Sequence, residues 1–287
     1  MNRNSILWSL TGLIAAGWLV TAFADDVRTV VILIEVGFAV VHGTWRYGGK
    51  AIAAFLIPGF VISNIMENLS ITTGFPFGDY HYTGSGKLFL VPWFIGPAYL
   101  ATGYLAWIVA TVIVGDIHRG SSRLSTVSTP VIAAFVMTSW DLAIDPSAAT
   151  INRAWIWEHG GGFFGVPLGN YLGWTLTVYL FMQVFALYLR RRGPEPWAPP
   201  SAASDLQAVI PYATTAIVLI GNFLSGTHKT VTDATGARWH TADIYETQAL
   251  LVIYGMGFLS LLAVLIIAQR STGDSASRHD LAHRSPG

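Results

Sequence analysis

The 287-residue sequence has no cysteine and little charge. The lack of cysteine excludes disulfides, thiolate metal sites, iron–sulfur clusters and a cysteine nucleophile. Charged residues make up 11% of the chain, whereas soluble globular proteins carry about 25%. The formal net charge is zero, so nothing suggests a nucleic-acid partner. Instead, 53% of the residues are hydrophobic and the mean hydropathy is +0.51, which indicates a membrane protein.

Several motifs of common enzyme classes are also missing. No DDxxD motif is present to hold a magnesium diphosphate, and the eight histidines do not form the HxxxH or HxxHH clusters of membrane di-iron enzymes. No GxGxxG follows a predicted strand, and no GxSxG elbow occurs. We therefore expect no metal and no cofactor, and the chemistry that remains is acid–base work in an aromatic-lined cavity.

Long apolar runs predict an all-α, polytopic transmembrane bundle of about eight helices. A membrane span needs roughly 20 apolar residues. Five runs are long enough, at 6–23, 88–114, 166–189, 206–224 and 244–268. Three shorter runs, at 27–41, 51–66 and 130–144, complete the count. We expect one integral membrane domain over residues 1–270 and a disordered polar tail over 271–287.

The first run has an alternative interpretation. It follows Arg3 and ends in Ala22-Phe23-Ala24, which resembles a signal peptide with its cleavage site. Cleavage would leave seven helices. A retained first helix is favoured because the run is longer than the apolar core of a signal peptide.

The loop charges predict that both termini are cytoplasmic. With that orientation, the inside segments carry 11 Lys and Arg residues and the outside loops carry 5. An excess of positive charge marks the cytoplasmic side. The outside residues are Arg28, Lys87, Arg153, Lys229 and Arg238.

Four polar stretches fall in the predicted outside loops or at the adjoining helix ends. These stretches combine carboxyl groups with aromatic rings. The stretches are 74–83 (GFPFGDYHYT), preceded by Glu67, then 140–146 (WDLAIDP), 155–167 and 228–246. We therefore expect the active-site loops at the extracytoplasmic face.

Asp141 and Asp145 are four residues apart, so their carboxyl groups share one helix face, and Pro146 is predicted to end that helix. Two carboxylates so placed repel each other, so a protonated Asp is a candidate acid and its ionised neighbour a candidate base. The structural alternative is that Asp145 caps a turn and Asp141 pairs with Arg153. Because carboxyl groups inside membranes are costly, a functional Asp141, beside Trp140, is favoured.

Asp79-Tyr80-His81-Tyr82 is predicted to be a short extended segment between Gly and Pro residues. Alternation then puts Asp79 and His81 on one side and both tyrosines on the other. Asp79 could orient His81 or act as an acid beside it. The alternative is a polar loop in the aromatic belt that membrane proteins have at the interface.

Two further acidic residues are candidates. Glu35 falls near the middle of the second predicted helix, where it is functional or pairs structurally with His42 or an Arg. Glu158, beside His159, either belongs to the site or is interfacial. The inside stretch 42–48 (HGTWRYG) is interpreted as a tight, positively charged turn.

The motifs GFPFGDYHYT, MTSWDLAIDP and AWIWEHGGGFFGVPLGNYLGW closely resemble the membrane carotenoid biosynthesis family. That family includes CruF-type carotenoid 1,2-hydratases and bisanhydrobacterioruberin hydratases, and HGTWRYG is similar to it as well. The resemblance covers roughly residues 42–174. Ser139, Ile144 and the three glycines at 160–162 are mild departures from the family pattern, and they bear on the substrate class.

The resemblance implies cofactor-free hydration of the terminal isopropylidene double bond of a linear carotenoid, of lycopene or C50 type, to a tertiary alcohol. It carries over onto nine positions of the sequence. These are Asp79, His81, Trp140, Asp141, Asp145, Trp155, Trp157, Phe164 and Asn170.

For this reaction we expect Asp141 as the acid and Asp79, with His81, as the base that orients water, or the reverse assignment. Asp145 and Glu67 would adjust their acidity. Aromatic side chains would surround the polyene and stabilise a tertiary carbocation. The candidates for substrate binding are Phe75, Phe77, Tyr80, Tyr82, Trp140, Trp155, Trp157, Phe164 and Asn170.

Two other functions remain open. A proton-initiated terpenoid or carotenoid cyclase would use the same cation and trap it with an internal alkene. A proton-coupled transporter or lipid-binding protein would use Glu35 and the Asp cluster as a proton relay. The expected partners are a lipophilic polyene or polyprenyl chain, membrane lipid and other carotenoid enzymes.

Overall fold

The computed structural model describes residues 2–21, 27–192 and 200–283 and shows a bundle of long helices. Within these ranges, eight helices are long and apolar enough to cross a membrane. The prediction of a polytopic bundle of about eight helices is therefore confirmed. The candidate cleavage motif Ala22-Phe23-Ala24 lies outside the described residues.

Seven of the crossing helices are α1 (Arg3–Thr21), α2 (Arg28–Tyr47), α3 (Gly49–Thr73), α4 (Ile95–Val114), α5 (Arg123–Asp145), α6 (Leu168–Arg192) and α7 (Ala202–Ser225). The eighth is made of α8 (Thr241–Leu251), a π-helical turn (Val252–Gly257) and α9 (Phe258–His283). The disordered tail from residue 271 stays a prediction, and the helical backbone of α9 continues to His283.

Pro146 does not end the fifth crossing helix as predicted. It begins a π-helical turn, Pro146–Ile151, which extends α5. Proline is tolerated at the first position of a helical turn because the N–H that it lacks has no partner there. The extra turn shifts the residues that follow Asp145 relative to the face of α5.

The span predicted at 88–114 begins later, at Ile95. The apolar residues before it form a tight hairpin of β2 (Lys87–Leu88) and β3 (Val91–Pro92). Phe89 at its tip has a φ of 56° and is 81% exposed. Hydrophobicity alone did not separate this exposed hairpin from the helix that follows it.

The runs predicted at 27–41, 51–66 and 130–144 belong to helices of 20, 25 and 23 residues. Polar residues within these helices lower the apparent apolar length without ending the helix. In α3, the side-chain amides of Asn64 and Asn68 donate to the carbonyl oxygens four residues earlier, at 2.9 and 2.8 Å. Such local bonds satisfy the polar groups inside the span.

Two further antiparallel pairs of short strands lie between helices. β1 (Tyr80–Tyr82) pairs with β4 (Trp155–Trp157), and β5 (Thr230–Thr232) pairs with β6 (Arg238–His240). These pairs connect the ends of α3, α5 and α7 with the starts of α4, α6 and α8. We call this end of the bundle the ribbon end.

Helix α4 lies at the centre of the bundle. In its apolar stretch 78% of the residues are buried, compared with 28–50% in the other crossing helices. It packs against α2, α3, α5, α7 and α9. A helix enclosed in this way holds the surrounding helices at fixed positions.

The stretch 42–48, interpreted from the sequence as a charged turn, instead forms the end of α2 up to Tyr47, and Gly48 caps the helix. The Arg46 guanidinium is buried and forms ion pairs with Asp116 at 3.0 Å and Asp205 at 2.6 Å. The Tyr47 hydroxyl also donates to Asp116, at 3.1 Å. This network ties α2 to α7 and to the segment after α4, at the end opposite the ribbon end.

Replacing Arg46 by Met would leave two buried carboxylates without their shared partner. Removing one member of a buried ion pair costs roughly 3–5 kcal/mol. We expect a large fall in the thermal unfolding temperature of the purified protein in detergent. The control is Lys50→Met, because Lys50 is exposed at the same end of the bundle. Equal unfolding temperatures for the two variants would contradict a stabilising role for the network.

Candidate functional site

Three carboxyl side chains line one cavity of about 280 Å³ at the ribbon end. Glu67 comes from the last third of α3, and Asp141 and Asp145 come from the last turns of α5. All three are at most 3% exposed. Asp141 and Asp145 lie on one face of α5, as their spacing predicted, and Glu67 from α3 lines the same cavity.

Glu67 is held by three phenol groups. Tyr99 donates to its Oε1 at 2.8 Å, and Tyr82 donates to its Oε2 at 3.0 Å. The Tyr80 hydroxyl donates to the same Oε2. An ionised carboxylate is purely an acceptor, so three donors suit it and fix its orientation.

The phenols on β1 stay protonated. Burial, followed by the negative charge of Glu67, holds the pKa of Tyr80 and Tyr82 well above the ordinary range of tyrosine. Each phenol therefore keeps the proton that it donates to Glu67. This protonation couples the β1–β4 pair to α3.

Asn170 bridges the two aspartates. Its Nδ2 donates to Asp141 Oδ2 at 3.1 Å and to Asp145 Oδ2 at 2.5 Å. The Trp155 indole donates to Asp145 Oδ1 at 2.8 Å. The alternative of an Asp141–Arg153 pair is wrong, since Arg153 donates to the carbonyl of Thr232 at 2.8 Å.

The β1–β4 pair sets which side chains reach the cavity. Tyr80 lies opposite Trp157, and Tyr82 lies opposite Trp155. Side chains alternate along a strand, so these four rings share one face. Tyr80, Tyr82 and Trp157 are 5–7% exposed, and all four line the cavity.

Three aromatic rings from helices and Phe77 from the loop after α3 also line the cavity. The Tyr99 and Trp174 rings stack at 4.3 Å between centroids, with 5° between their planes. Trp140 and Phe77 contact Trp174 at 6.3 and 6.4 Å between centroids. Aromatic rings and carboxyl groups therefore line the same small volume.

Asp79 and His81 do not reach this cavity. They lie on the other face of β1, where Asp79 Oδ2 is 3.2 Å from His159 Nε2 and His81 Nδ1 is 2.5 Å from Glu158 Oε1. The Asp79 and His81 side chains are about half exposed. The alternation was predicted correctly, but the face that meets Asp141 carries the tyrosines, so the structure does not bring Asp79 or His81 to Asp141 as its base.

Three other predicted site residues lie away from the cavity. Phe75 is exposed, Phe164 packs against Trp239 at 5.5 Å between ring centroids, and Glu158 pairs with His81 on the outer face. Phe77, Trp140, Trp155, Trp157 and Asn170 line the cavity as expected.

Glu35 contributes indirectly. Among the residues that the structure describes, neither His42 nor an Arg pairs with Glu35. Its Oε1 instead accepts a 2.6 Å hydrogen bond from the Trp18 indole. Trp18 lines the cavity. Glu35 on α2 thus orients Trp18 on α1, which forms part of the cavity wall.

Tyr99, Trp174 and Trp18 are site residues that the sequence did not predict. Trp174 follows Asn170 by four residues, so their shared helix face was a usable signal. Tyr99 and Trp18 sit in apolar runs, where an aromatic residue is ordinary core. Among the described residues, no three His, Asp or Glu side chains are arranged to hold a metal ion.

Comparison with known proteins agrees with the motifs around this cavity. A family model described as carotenoid biosynthesis protein matches residues 27–235. The chain belongs to the carotenoid biosynthesis protein family. It is also 28% identical over 151 residues to the bisanhydrobacterioruberin hydratase of Haloarcula japonica, which covers 52% of this chain and 48% of that protein. No solved structure matches.

The family match includes every carboxyl and amide group of the cavity. Glu67, Asp141, Asp145 and Asn170 fall within 27–235, whereas α1 and the eighth crossing helix lie outside it. This carotenoid biosynthesis protein is multi-pass and distantly similar to a carotenoid hydratase. The chain matches about half the length of that curated relative.

Tyr99→Phe tests the hydrogen bonds of Glu67. The variant keeps the ring stacked on Trp174 and removes only the phenol donor. Loss of one partner of a buried acceptor costs about 1–3 kcal/mol, so the unfolding temperature in detergent should fall. The control is Tyr254→Phe, because Tyr254 is 75% exposed. A Tyr99→Phe protein as stable as this control would refute the contribution of the bond.

Proposed function

We propose that the protein is a cofactor-free hydratase that adds water to the terminal isopropylidene double bond of a linear carotenoid. The observation that carries the proposal is the gathering of Glu67, Asp141 and Asp145 in one buried, aromatic-walled cavity. The family and the similarity to a carotenoid hydratase support the substrate class. The lycopene and C50 types are both retained as substrates.

The cavity suits the end of a polyene. Its volume of about 280 Å³ is close to the lower limit of about 300 Å³ for pockets that hold drug-sized ligands. A whole linear carotenoid is much larger. The terminal double bond therefore enters the cavity, and the rest of the chain extends into the surrounding lipid.

Asp141 is proposed as the proton donor. Asp145 has a hydrogen bond at each oxygen, from Trp155 and from Asn170, whereas Asp141 is bonded through Oδ2 to Asn170. Its Oδ1 can therefore carry and transfer a proton. A low-dielectric cavity with three carboxyl groups does not hold three full charges, so a protonated member is expected.

Protonation at the less substituted carbon gives a tertiary carbocation. The rings of Tyr99, Trp174 and Trp140 line the cavity. A desolvated ring face stabilises a cation by about 2 kcal/mol. Several rings around one carbon would lower the barrier of the first step substantially.

Asp145 is proposed as the base that takes a proton from the attacking water. It replaces Asp79 and His81 in this role, because those residues lie on the exposed face of β1. Asp145 is four residues from the acid and shares its Asn170 partner. As Asp141 gains negative charge and Asp145 loses it, the Asn170 amide stays bonded to both.

A cyclase would share the protonation step, so the product distinguishes the two reactions. A hydratase raises the mass of the polyene by one water, and a cyclase leaves the mass unchanged. A transporter or lipid-binding protein would leave the polyene chemically unaltered.

Asp141→Asn should abolish hydration in a lycopene-producing or C50-precursor-producing host. Loss of a general acid lowers the rate by about 10²–10⁴-fold. Pigments extracted from the host would be separated by chromatography and their masses measured by mass spectrometry. Protein amounts would be matched by immunoblot. Asp145→Asn should show a loss in the same range.

The matched control is Asp243→Asn, an exposed aspartate on α8. It should hydrate as the unmodified protein does, and so should Asp79→Asn. Full activity of Asp141→Asn would exclude Asp141 as the acid. Loss of activity in Asp79→Asn alone would instead identify Asp79, on the exposed face of β1, as the base.

We further propose that the ribbon end faces the extracytoplasmic side. The charge asymmetry of 11 to 5 Lys and Arg residues supports this orientation. The chain has no cysteine, so single introduced cysteines report their own location. Ser85→Cys at the ribbon end should react with an impermeant maleimide in intact cells, and Lys50→Cys should react only after permeabilisation. The opposite pattern would invert the topology.

A further inference from the structure

A second cavity adjoins the candidate active site. It has a volume of about 290 Å³ and lies between α1, α7, α8 and the π-helical turn after α5. Its described lining includes hydroxyl and amide side chains, among them Thr21, Ser147, Thr215, Asn222 and Ser225. This polar lining contrasts with the ring-lined reaction cavity.

The polar cavity runs inward from the ribbon end along α7. Ser225 is exposed at the end of α7, and Thr215 is 4% exposed and lies ten residues earlier. At about 1.5 Å per residue, these positions are about 15 Å apart along the helix axis. The lining of the polar cavity therefore covers a length of about 15 Å of α7, from its exposed end to a buried position inside the bundle.

The two cavities share part of their walls. Ile144 and Ala148 line both, and so do Trp18, Arg28 and Asn152. Ile144 immediately precedes Asp145, and Ala148 follows it within the π-helical turn. The shared wall therefore lies next to the proposed base.

A hydrogen-bonded chain of two side-chain amides and a hydroxyl links α7 and α8 to the π-helical turn, and its two ends, Asn222 and Ser147, line the polar cavity. Asn222 Nδ2 donates to Gln248 Oε1 at 2.8 Å. Gln248 Nε2 in turn donates to Ser147 Oγ at 3.3 Å and to the carbonyl of Ala143 at 2.9 Å. Asn222 and Ser147, fixed in the lining by this chain, are suited to hold water molecules in the polar cavity.

We propose that the polar cavity is a water-binding site that supplies the nucleophile for the reaction, entering at the Ile144–Ala148 wall beside Asp145. The inference rests on the proposed hydratase function. It assigns a role to α7 and α8, which contribute nothing to the lining of the reaction cavity.

The role of the water supply follows from the fate of the cation. Protonation forms a carbon–hydrogen bond and leaves the adjacent carbon cationic. Water then forms the carbon–oxygen bond and gives its proton to Asp145. Without water, the cation returns a proton to a carboxylate and becomes an alkene again. In D₂O this return leaves deuterium in the recovered polyene.

Gly221→Leu tests the supply. Gly221 lines the polar cavity, and an added side chain at this position meets open space. Replacing a helical glycine by leucine does not weaken the helix. The matched control is Gly37→Leu in α2, which also meets open space and is exposed on the bundle surface.

Membranes containing each variant would be incubated with the polyene in D₂O. The measurement is the ratio of hydrated product to deuterated, unhydrated polyene. We expect Gly221→Leu to lower this ratio by about tenfold, which corresponds to about 1.4 kcal/mol in the partition of the cation. Gly221→Ala, with a smaller side chain, should give a smaller change, and Gly37→Leu should leave the ratio unchanged.

Other outcomes separate the inference from the function on which it rests. A ratio for Gly221→Leu equal to that of Gly37→Leu would overturn the water supply and leave the hydratase intact. An equal decrease in hydrated product and in deuterated, unhydrated polyene would also overturn the water supply. Such a decrease indicates impaired protonation or substrate entry. Absence of hydrated product from the unmodified protein would refute the hydratase itself.

Discussion

The pairing of β1 with β4 is the interaction on which the site depends. Three residues on each strand bring together two loops that are about 75 positions apart in the chain, with Tyr80 opposite Trp157 and Tyr82 opposite Trp155. Backbone groups near the membrane must be hydrogen-bonded within the protein, and this pair satisfies them outside a helix. Its inner face supplies phenols to Glu67 and an indole to Asp145, so the acids of α3 and α5 are oriented by one small ribbon.

Much of the bundle was predictable because apolar length is a strong physical requirement in a membrane. The boundaries were less predictable. Phe89 and its neighbours are as apolar as a membrane-spanning helix, yet they form a hairpin. The prediction missed it because hydrophobicity does not encode the left-handed φ at the hairpin tip. Pro146 was expected to stop α5, and the chain accommodated it in a π-helical turn instead.

The site was predictable in its acids and less so in its partners. The spacing of Asp141 and Asp145 requires a common helix face, and the structure has it. The predicted alternation of side chains in β1 was also correct. However, a pattern with charged residues on one face and aromatic residues on the other does not indicate which face lines the cavity. Tyr99 gave no signal because a tyrosine in an apolar run differs from ordinary core only through its distant partner, Glu67.

Buried charged groups have different partners at the two ends of the bundle. Near the end opposite the ribbon, the Arg46 guanidinium lies between Asp116 and Asp205, so charge is balanced and the helices are tied together. At the ribbon end, three carboxyl groups accept hydrogen bonds from neutral donors, namely phenols, an indole and an amide. Neutral donors orient a carboxyl group and favour its ionised form less strongly than a paired cation does, so its protonated form stays accessible.

The size of the ring-lined cavity has a further consequence for a substrate with two similar ends. A volume of about 280 Å³ accommodates one terminus at a time. In the proposed reaction, a polyene must leave, turn around and bind again before its second terminus can react. Modification of the two ends is then distributive, and the singly modified chain is a free species in the lipid, open to any other protein that binds it.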